Sequence, residues 1–258
     1  MTPFDAINEF RSRLDSGDVC IGSGLTTSDP VVMEVLAPVC DFIWIDLEHT
    51  HLGYESLMGH LIAARACQTP AIIRVRDGQL ASIKPVLDMG VDGFVVPQVR
   101  SAAEVQSIVD MARYAPLGQR GYGPRRAGRY GEFGGRDYAD AANKSLLVGV
   151  QVENTEAYGE LDDILTIEGL DTIFIGPYDL SVSMGHFGEH DHPLVQETIQ
   201  AVIDRTRAAG KYVGMGMDAS AARAKQAIQQ GVQWIQCGDD YGHMRMWFES
   251  VAAEIRKR

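Results

Sequence analysis

The sequence predicts a parallel α/β protein that closes into a (β/α)8 barrel, also called a TIM barrel. Short runs of apolar or β-branched residues recur eight times in the 258 residues, and segments with helical spacing lie between most of them. Alternation of strands and helices favours a parallel sheet, and about 250 residues is the usual size of such a barrel. We therefore expect a single domain over residues 1–258.

The eight predicted strands are short runs rich in valine, isoleucine and aromatic residues. They are Val19–Leu25, Phe42–Leu47, Ala71–Val75, Gly93–Pro97, Leu146–Val152, Thr172–Ile175, Tyr212–Gly216 and Trp234–Cys237. An open doubly wound sheet would also alternate strands with helices, but it needs no eighth strand. Its usual glycine-rich first turn is incomplete here, because Ile21–Leu25 lacks the third glycine.

Helix boundaries are indicated by residues that cap the ends of helices. The predicted helix starts are Ser28-Asp29-Pro30, Ser101-Ala102-Ala103-Glu104 and Asp218-Ala219-Ser220, and the predicted ends are Gly90, Gly210 and Gly231. Each of these glycines stands shortly before a predicted strand, so the order of strand, helix and strand is kept.

The charge and cysteine content limit the partners and the location of the chain. Lys and Arg number 23 against 35 Asp and Glu, a formal net charge of −12, which argues against nucleic acid or an anionic membrane surface as the main partner. No stretch approaches the roughly 20 apolar residues of a membrane span, and the amino terminus lacks the core of a signal peptide. Four scattered cysteines give no disulfide or zinc pattern. We expect a cytoplasmic protein.

One region interrupts the alternation of strands and helices. Residues 116–143 form a long glycine-rich segment with five arginines in an otherwise acidic protein: Arg120, Arg125, Arg126, Arg129 and Arg136. This arginine-rich segment could be a solvated or subunit-contact loop, an RNA-binding stretch, or a loop that brings cations to an anionic substrate. The role of residues 119–136 stays open on the sequence alone.

Polar side chains follow the apolar residues at the ends of several predicted strands. They are Asp46, Glu48 and His49 after the second strand, Arg74 in the third, Gln151 and Glu153 in and after the fifth, and Asp179 after the sixth. The active site of a (β/α)8 barrel lies at the carboxyl ends of its strands. We therefore expect these side chains to meet at one rim.

Glu153 and Asp179 are candidate ligands of a divalent cation. Glu153 alternates with valines and should point to the barrel axis, where a charged group needs a partner. Asp179 is also acidic and cannot neutralise it. A cation between the two resolves the conflict, and carboxylates suit Mg²⁺ or Mn²⁺ better than zinc. The alternative is that Glu153 pairs with Arg74 while Asp179 only caps a helix.

The segment Gly176–Ser181 predicts the start of a helix beside the two carboxylates. Pro177 suits the first position of a helix, and the free N–H groups of a first turn can bind a carboxylate or phosphate. The expected substrate is therefore an anion.

The five lysines argue against an imine mechanism. Lys144 and Lys211 precede strands, at the wrong end of the barrel, and Lys84, Lys225 and Lys257 fall in predicted helices. No lysine at the rim is left as the nucleophile. If the reaction cleaves a carbon–carbon bond beside a carbonyl group, a metal must therefore act as the electron sink, as a Lewis acid on the carbonyl oxygen.

Three histidines that lie close together in the sequence, His186, His190 and His192, come after the sixth strand. Their spacing is not that of a helical zinc motif, and the segment is predicted to be an exposed loop. A metal site is not the favoured interpretation of this segment.

Together these motifs resemble those of the HpcH/HpaI aldolase family. The similar segments are Ile45–His49, Arg74, Pro116–Gly121, Val150–Glu153 and Gly176–Ser181, in matching order. The typical member cleaves 4-hydroxy-2-oxoheptanedioate, and relatives act on 2-keto-3-deoxy sugar acids. The resemblance implies a class II pyruvate aldolase that uses Mg²⁺, Mn²⁺ or Co²⁺ to cleave or form 4-hydroxy-2-oxo acids. It also implies a homo-oligomer, commonly a hexamer built as a trimer of dimers with exchanged C-terminal helices.

The resemblance further implies roles for individual residues. Glu153 and Asp179 resemble the metal ligands, Gln151 their polar neighbour, and Glu48 a group that supports the water on the metal. His49 with Asp46 resembles the acid–base dyad, and Arg74 the cation that steadies the substrate carbonyl. The implied substrate-binding residues are Gln151, Pro177, Tyr178, Asp179 and Arg120.

Two departures from the family pattern leave the second substrate and the reaction open. Leu47 stands where many members have glycine, and Tyr122–Arg126 replaces an alanine-rich stretch. The alternative enzyme is a condensing or cleaving lyase of the citrate-synthase or citrate-lyase type, or a 2-oxo acid decarboxylase, with the same metal site. The alternative outside catalysis is a barrel that binds sugar acids or RNA through the arginine-rich segment.

Overall fold

The computed structural model describes residues 2–257, and its eight parallel strands form a closed barrel. The strands are β1 (Cys20–Leu25), β2 (Phe42–Asp46), β3 (Ala71–Arg74), β4 (Gly93–Val96), β5 (Leu147–Val152), β6 (Thr172–Ile175), β7 (Tyr212–Met217) and β8 (Trp234–Asp239). Each strand pairs with the next one along the chain, and β8 pairs with β1. The predicted barrel is confirmed, because all eight predicted strands are present.

Helices connect the strands on the outside of the barrel. Within residues 2–257 they are α1 (Asp5–Asp15), α2 (Pro30–Leu36), α3 (Tyr54–Cys67), α4 (Leu80–Met89), α5 (Ala102–Ala112), α6 (Gly135–Ser145), α7 (Thr155–Gly159), α8 (Leu161–Leu165), α9 (Pro177–Ser183), α10 (Pro193–Ala208), α11 (Ala221–Gln230) and α12 (Asp240–Arg256). The predicted caps are confirmed, since the side chains of Asp29, Ser101 and Ser220 each accept a backbone N–H from the first turn. None of the helices in this part of the chain has the length and apolar character needed to cross a membrane.

Aromatic side chains fill the barrel interior from its amino-terminal end to its middle. Trp44 and Phe174 stack inside it with ring centroids 4.3 Å apart, and Phe10 of α1 meets Trp234 edge to face at 6.2 Å. Burial of each such ring contributes about 1.5–3 kcal/mol. Because α1 and these rings close the amino-terminal end, the inward polar groups gather at the carboxyl end of the strands.

The arginine-rich segment is not one long loop. Its last part forms α6, which buries Tyr138, Ala139 and Ala142, so the prediction of an irregular segment over residues 116–143 was wrong in that part. Glycines at the start of α6 hid its amphipathic pattern. The earlier part of the segment contains a short 3₁₀ helix, Arg129–Gly131.

Arg126 has a structural place at the amino-terminal end of the barrel. Its buried guanidinium donates to the backbone oxygens of Leu61 (2.8 Å) and Met89 (2.6 Å), in α3 and α4. These helices lead into the amino ends of β3 and β4. Within one protomer, Arg126 therefore does not bring a cation to a substrate at the opposite end.

Candidate active site

The carboxyl end of the barrel brings together side chains that are far apart in the sequence. Asp46 ends β2 and Arg74 ends β3, while Glu153 directly follows β5. Gln151 is the fifth residue of β5, and Asp179 lies in the first turn of α9, after β6. Strand alternation directs Gln151 inward and leaves its valine neighbours in the core between strands and helices.

Glu153 is almost completely buried, with 1% of its surface exposed. Its Oε1 accepts the backbone N–H of Gln98 at 2.7 Å, and its Oε2 accepts the side-chain amide of Gln151 at 2.5 Å. Burial raises the pKa of Glu153 to about 8, and the neighbouring charges of Asp179 and Glu48 add to that rise. The charge of Arg74 lowers this pKa but is not enough to offset the burial of the carboxylate.

Arg74 does not supply that charge to Glu153, because other carboxylates already bind it. Its Nε and Nη2 bond the two carboxylate oxygens of Asp46 at 2.9 and 2.7 Å, and its Nη1 lies 3.1 Å from Oε2 of Glu48. The sequence alternative in which Glu153 pairs with Arg74 is therefore not formed. Burial raises the pKa of Glu48, although the charge of Arg74 opposes this rise.

The structure places His49 apart from its expected partner. Its Nε2 lies 3.6 Å from Oε2 of Glu48, and 61% of its side chain is exposed. No ion pair or hydrogen bond joins it to Asp46 among the described residues. Asp46 is held by Arg74, which stands directly opposite it in the pairing of β2 with β3. The expected dyad of His49 with Asp46 is thus replaced by a contact of His49 with Glu48.

The first turn of α9 forms one wall of a cleft above these groups. The cleft is lined by Trp44, Arg74, Gln151, Phe174, Ile175, Gly176, Pro177, Tyr178, Asp179, Gly216, Met217, Asp218, Gln236, Gly238 and Asp239. Pro177 begins α9 as predicted, and the hydroxyl of Tyr178 donates to Asp218 at 2.8 Å. A Cβ at position 176 would lie 2.5 Å from Oε2 of Glu153, so only glycine lets α9 begin this close to the carboxylate.

Arg120 lies outside this cleft in the protomer. Its guanidinium stacks over the ring of Tyr114 at 4.6 Å and donates to the backbone oxygen of Leu87 at 3.1 Å. In residues 2–257, no hydrogen bond or ion pair connects it with Arg74, Glu153 or Asp179. This placement differs from the predicted role in substrate binding, because contacts with α4 and Tyr114 hold the side chain on the outside of the barrel.

The chemistry of the cleft fits a divalent cation with oxygen ligands. Four carboxyl groups, those of Asp46, Glu48, Glu153 and Asp179, influence one another here with Arg74 as their cation. The buried Oε1 of Gln151 has no hydrogen-bond partner, although buried polar atoms normally have one. Glu153 and Asp179, with Gln151 beside them, are therefore the residues that could hold the ion.

Sequence reasoning missed Gln98, which helps to position Glu153. Gln98 adopts a left-handed backbone conformation with φ of 56°, and this turn directs its N–H to Glu153. The contact uses the backbone, so the residue type carries no signal for it. The only hint in the sequence is its position just after a predicted strand.

Comparisons with known proteins agree with this geometry. The sequence profile of the family described as HpcH/HpaI aldolase/citrate lyase matches residues 26–246. The chain is 38% identical to a hydroxypyruvate/pyruvate aldolase of Pseudomonas aeruginosa, over 97% of this chain and 93% of that protein. It is also 38% identical to a 2-keto-3-deoxy-L-rhamnonate aldolase of Salmonella schwarzengrund, over 90% and 87%. The crystal structure of the citrate synthase SbnG, 32% identical, superposes with a TM-score of 0.85 over 96% and 97%.

Proposed function

Because the chain belongs to the HpcH/HpaI aldolase/citrate lyase family, we propose that it is a metal-dependent aldolase of small 2-oxo acids. It is a carbon–carbon lyase, and its aldol reaction cleaves or forms a 4-hydroxy-2-oxo acid. The products of cleavage are pyruvate, or a related 2-oxo acid, and an aldehyde. The relatives named as aldolases of pyruvate, hydroxypyruvate and a deoxy sugar acid support this range of substrates.

The observation that carries the proposal is the buried carboxylate of Glu153 beside Asp179. Glu153 is 1% exposed, and its two hydrogen bonds come from neutral N–H groups. We infer that both carboxylates hold Mg²⁺, Mn²⁺ or Co²⁺, in line with the preference of such ions for oxygen ligands. When bound, the ion supplies a Lewis acid that polarises the 2-oxo group of the substrate.

The residues of the cleft orient the rest of the substrate. The backbone N–H groups of Tyr178 and Asp179 lie in the first turn of α9, where a helix provides no acceptor for them, and so they suit the substrate carboxylate. Arg74 lies at the cleft with its guanidinium held by Asp46 and Glu48. We infer that it stabilises the negative charge that develops on the 2-oxo oxygen during cleavage.

His49 is the proposed acid and base for the hydroxyl group that becomes the aldehyde. It is exposed enough to exchange protons with water, and Glu48 lies 3.6 Å from its Nε2. In cleavage it removes the hydroxyl proton, directly or through a water, and in condensation it returns the proton. We infer that Glu48, the carboxylate near its ring in this structure, is its partner in place of Asp46, which the resemblance had implied.

A condensing lyase of the citrate-synthase type is the second candidate function. The similarity to the citrate synthase SbnG, which extends over 96% of this chain, favours it. Assays of pyruvate with a panel of aldehydes, and of oxaloacetate as the alternative acceptor, separate the two reactions. Only an aldolase makes a hydroxy-oxo acid from pyruvate and an aldehyde.

We also infer that the chain assembles with copies of itself. α12 carries large apolar side chains that are exposed, among them Trp247 (73%), Phe248 (71%) and Ile255 (77%). A continuous apolar face of this kind is typical of a protein interface. The hexamer with exchanged C-terminal helices stays a prediction from the resemblance.

A cytoplasmic location is part of the same proposal. Cys20, Cys40, Cys67 and Cys237 are all free thiols. Free thiols persist in reducing compartments, whereas secreted proteins tend to oxidise them to disulfides.

Removal of metal tests the proposed function directly. We expect EDTA to abolish aldol cleavage and Mg²⁺, Mn²⁺ or Co²⁺ to restore it, measured as pyruvate release from a 4-hydroxy-2-oxo acid. The physical reason is that no lysine lines the cleft among the described residues, so an imine has no nucleophile. A pyruvate adduct trapped by borohydride, or full activity in EDTA, would show that the proposal is wrong.

The raised pKa of Glu153 predicts how cation affinity depends on pH. This pKa is raised to about 8, so below that pH a cation must displace a proton from Glu153 to bind. We expect the affinity for Mn²⁺ to fall about tenfold for each pH unit below about 8 and to level off above it. Titration calorimetry between about pH 6 and pH 9 measures this slope. An affinity that stays constant over that range would show that cation binding displaces no proton from Glu153, and would contradict this prediction.

A further inference from the structure

The loop between α9 and α10 brings two imidazoles and a carboxylate together outside the cleft. One possible ligand atom from each of His186, Glu189 and His192 lies within 4.8 Å of the other two. We propose that these three residues form a second cation site, which binds zinc and so holds the two ends of this loop together. The site is independent of the proposed aldolase function.

Two successive tight turns produce the cluster. The N–H of Glu189 donates to the backbone oxygen of His186 at 2.9 Å, and the N–H of His192 donates to that of Glu189 at 2.8 Å. The first and fourth residues of such a turn lie within about 7 Å of each other at Cα. Gly188 stands at the third position of the first turn with φ of +76°, the conformation that a type II turn requires there. The two turns thus bring the three residues close together, and their possible ligand atoms lie within 4.8 Å of one another.

The sequence analysis singled out the histidines of this exposed loop but did not favour a metal site, and it did not include Glu189. A helical zinc motif places its two histidines four residues apart on one helix face. Here the spacing is three and three, and the turns that make it effective depend on glycine at position 188. The loop is exposed as predicted, but its histidines converge.

The side chains of the cluster have few competing partners. Within residues 2–257, the carboxylate of Glu189 and the imidazole of His186 make no hydrogen bond or ion pair. Nδ1 of His192 accepts the N–H of Leu194 at 3.3 Å, which is longer than most N–H hydrogen bonds and so is readily exchanged. The rings of His186 and His192 stack with centroids 3.6 Å apart, so both side chains are already adjacent, and binding of one ion requires the rings to unstack and turn their in-plane nitrogens toward it.

The ligand type separates this site from the one in the barrel. Two imidazoles and one carboxylate are a ligand set that zinc accepts, with water in the fourth position. The cleft offers oxygen atoms only, from Glu153, Asp179 and Gln151, which suit harder ions. The difference in ligand atoms would therefore direct zinc to the loop and a harder ion such as Mg²⁺ or Mn²⁺ to the cleft.

A zinc ion on the loop would also hold one wall of the cleft. His190, inside the same loop, hydrogen-bonds Arg223 of α11, and its ring lies 4.5 Å from that of Tyr178. Tyr178 lines the cleft. Pinning His186 to His192 restrains His190 between them, and through it the position of Tyr178.

Zinc binding by the full chain tests the proposal. We expect the variant Glu153→Gln/Asp179→Asn to keep one zinc per chain in equilibrium dialysis with elemental analysis. Adding His186→Gln and His192→Gln to that variant should remove this zinc. In the otherwise unchanged chain, each single histidine change should weaken zinc binding at the loop by about 10–100-fold or more, since loss of a ligand costs at least as much as loss of its supporting hydrogen bond.

Matched variants keep the test decisive. His51→Gln changes an exposed histidine outside the cluster and should leave zinc binding unchanged. Glu189→Gln, also at an exposed position, should weaken binding without disturbing the fold, which a thermal melt by circular dichroism checks. Two results would overturn the proposal. One is a zinc affinity that is unchanged in the His186→Gln/His192→Gln variant and also in the Glu189→Gln variant. The other is zinc binding that is lost when only Glu153 and Asp179 are changed.

Discussion

Glu153→Ala is expected to abolish both carbon–carbon cleavage and the exchange of pyruvate methyl protons with solvent, whereas His49→Ala keeps the exchange. Loss of Glu153 removes one of two proposed carboxylate ligands, so the Lewis acid that both processes need is lost. Loss of His49 removes only the group that handles the hydroxyl proton. A general acid or base is typically worth about 10²–10⁴ in rate, and we expect cleavage to fall by that factor.

The two readouts make this prediction specific. Pyruvate release from a 4-hydroxy-2-oxo acid measures cleavage, and deuterium uptake into pyruvate followed by NMR measures exchange. Glu156→Ala is the matched control, because Glu156 is exposed and pairs with Arg100 on the surface. If Glu153→Ala binds Mn²⁺ and turns over normally, the catalytic metal is elsewhere. The cluster of His186, Glu189 and His192 would then be the place to examine.

Arg74→Ala is expected to lower both activity and stability. The change removes the cation proposed to stabilise the developing charge, and groups of this kind contribute about 10²–10³ in kcat. It also leaves Asp46 and Glu48 without their shared partner, and breaking a buried ion pair costs about 3–5 kcal/mol in the free energy of unfolding. The side chains involved are at most 15% exposed, so solvent screening reduces this cost only in part.

Arg74→Lys separates the charge from its geometry. Lysine keeps the positive charge but cannot bond both oxygens of Asp46 and reach Glu48 at once. We expect it to recover most of the stability and only part of kcat. Arg100→Ala, which breaks the exposed pair with Glu156, is the control. A stable Arg74→Ala variant with unchanged kcat would contradict the proposed role.

Local patterns in the sequence predicted the barrel and most of the polar side chains that lie at its carboxyl-terminal rim. The apolar run Thr172–Ile175 was predicted with the bounds that the structure has, and the other seven strands were predicted to within two residues at each end, because strand and helix periods are local properties. The inward direction of Gln151 also followed from alternation along one strand. In a barrel of known topology, polar residues at strand ends must share one rim.

The pairings within that rim depended on the tertiary structure. Asp46 binds Arg74 because the pairing of β2 with β3 places them opposite each other, and His49 contacts its sequence neighbour Glu48 and not Asp46. The backbone N–H of Gln98 reaches Glu153 only because its turn is left-handed. A residue pattern does not show which of several nearby charged groups form an ion pair, since their distances and burial decide it.

The paths of the loops were likewise decided by the tertiary structure. The sequence left the arginine-rich segment with several roles, and packing against α3 and α4 holds Arg126 at the far end of the barrel. It indicated an exposed loop at His186, and the turn at Gly188 makes the histidines converge. Periodicity fixes which face of a regular element is buried, but a loop has no period. Where its side chains point depends on backbone turns and on contacts with distant residues.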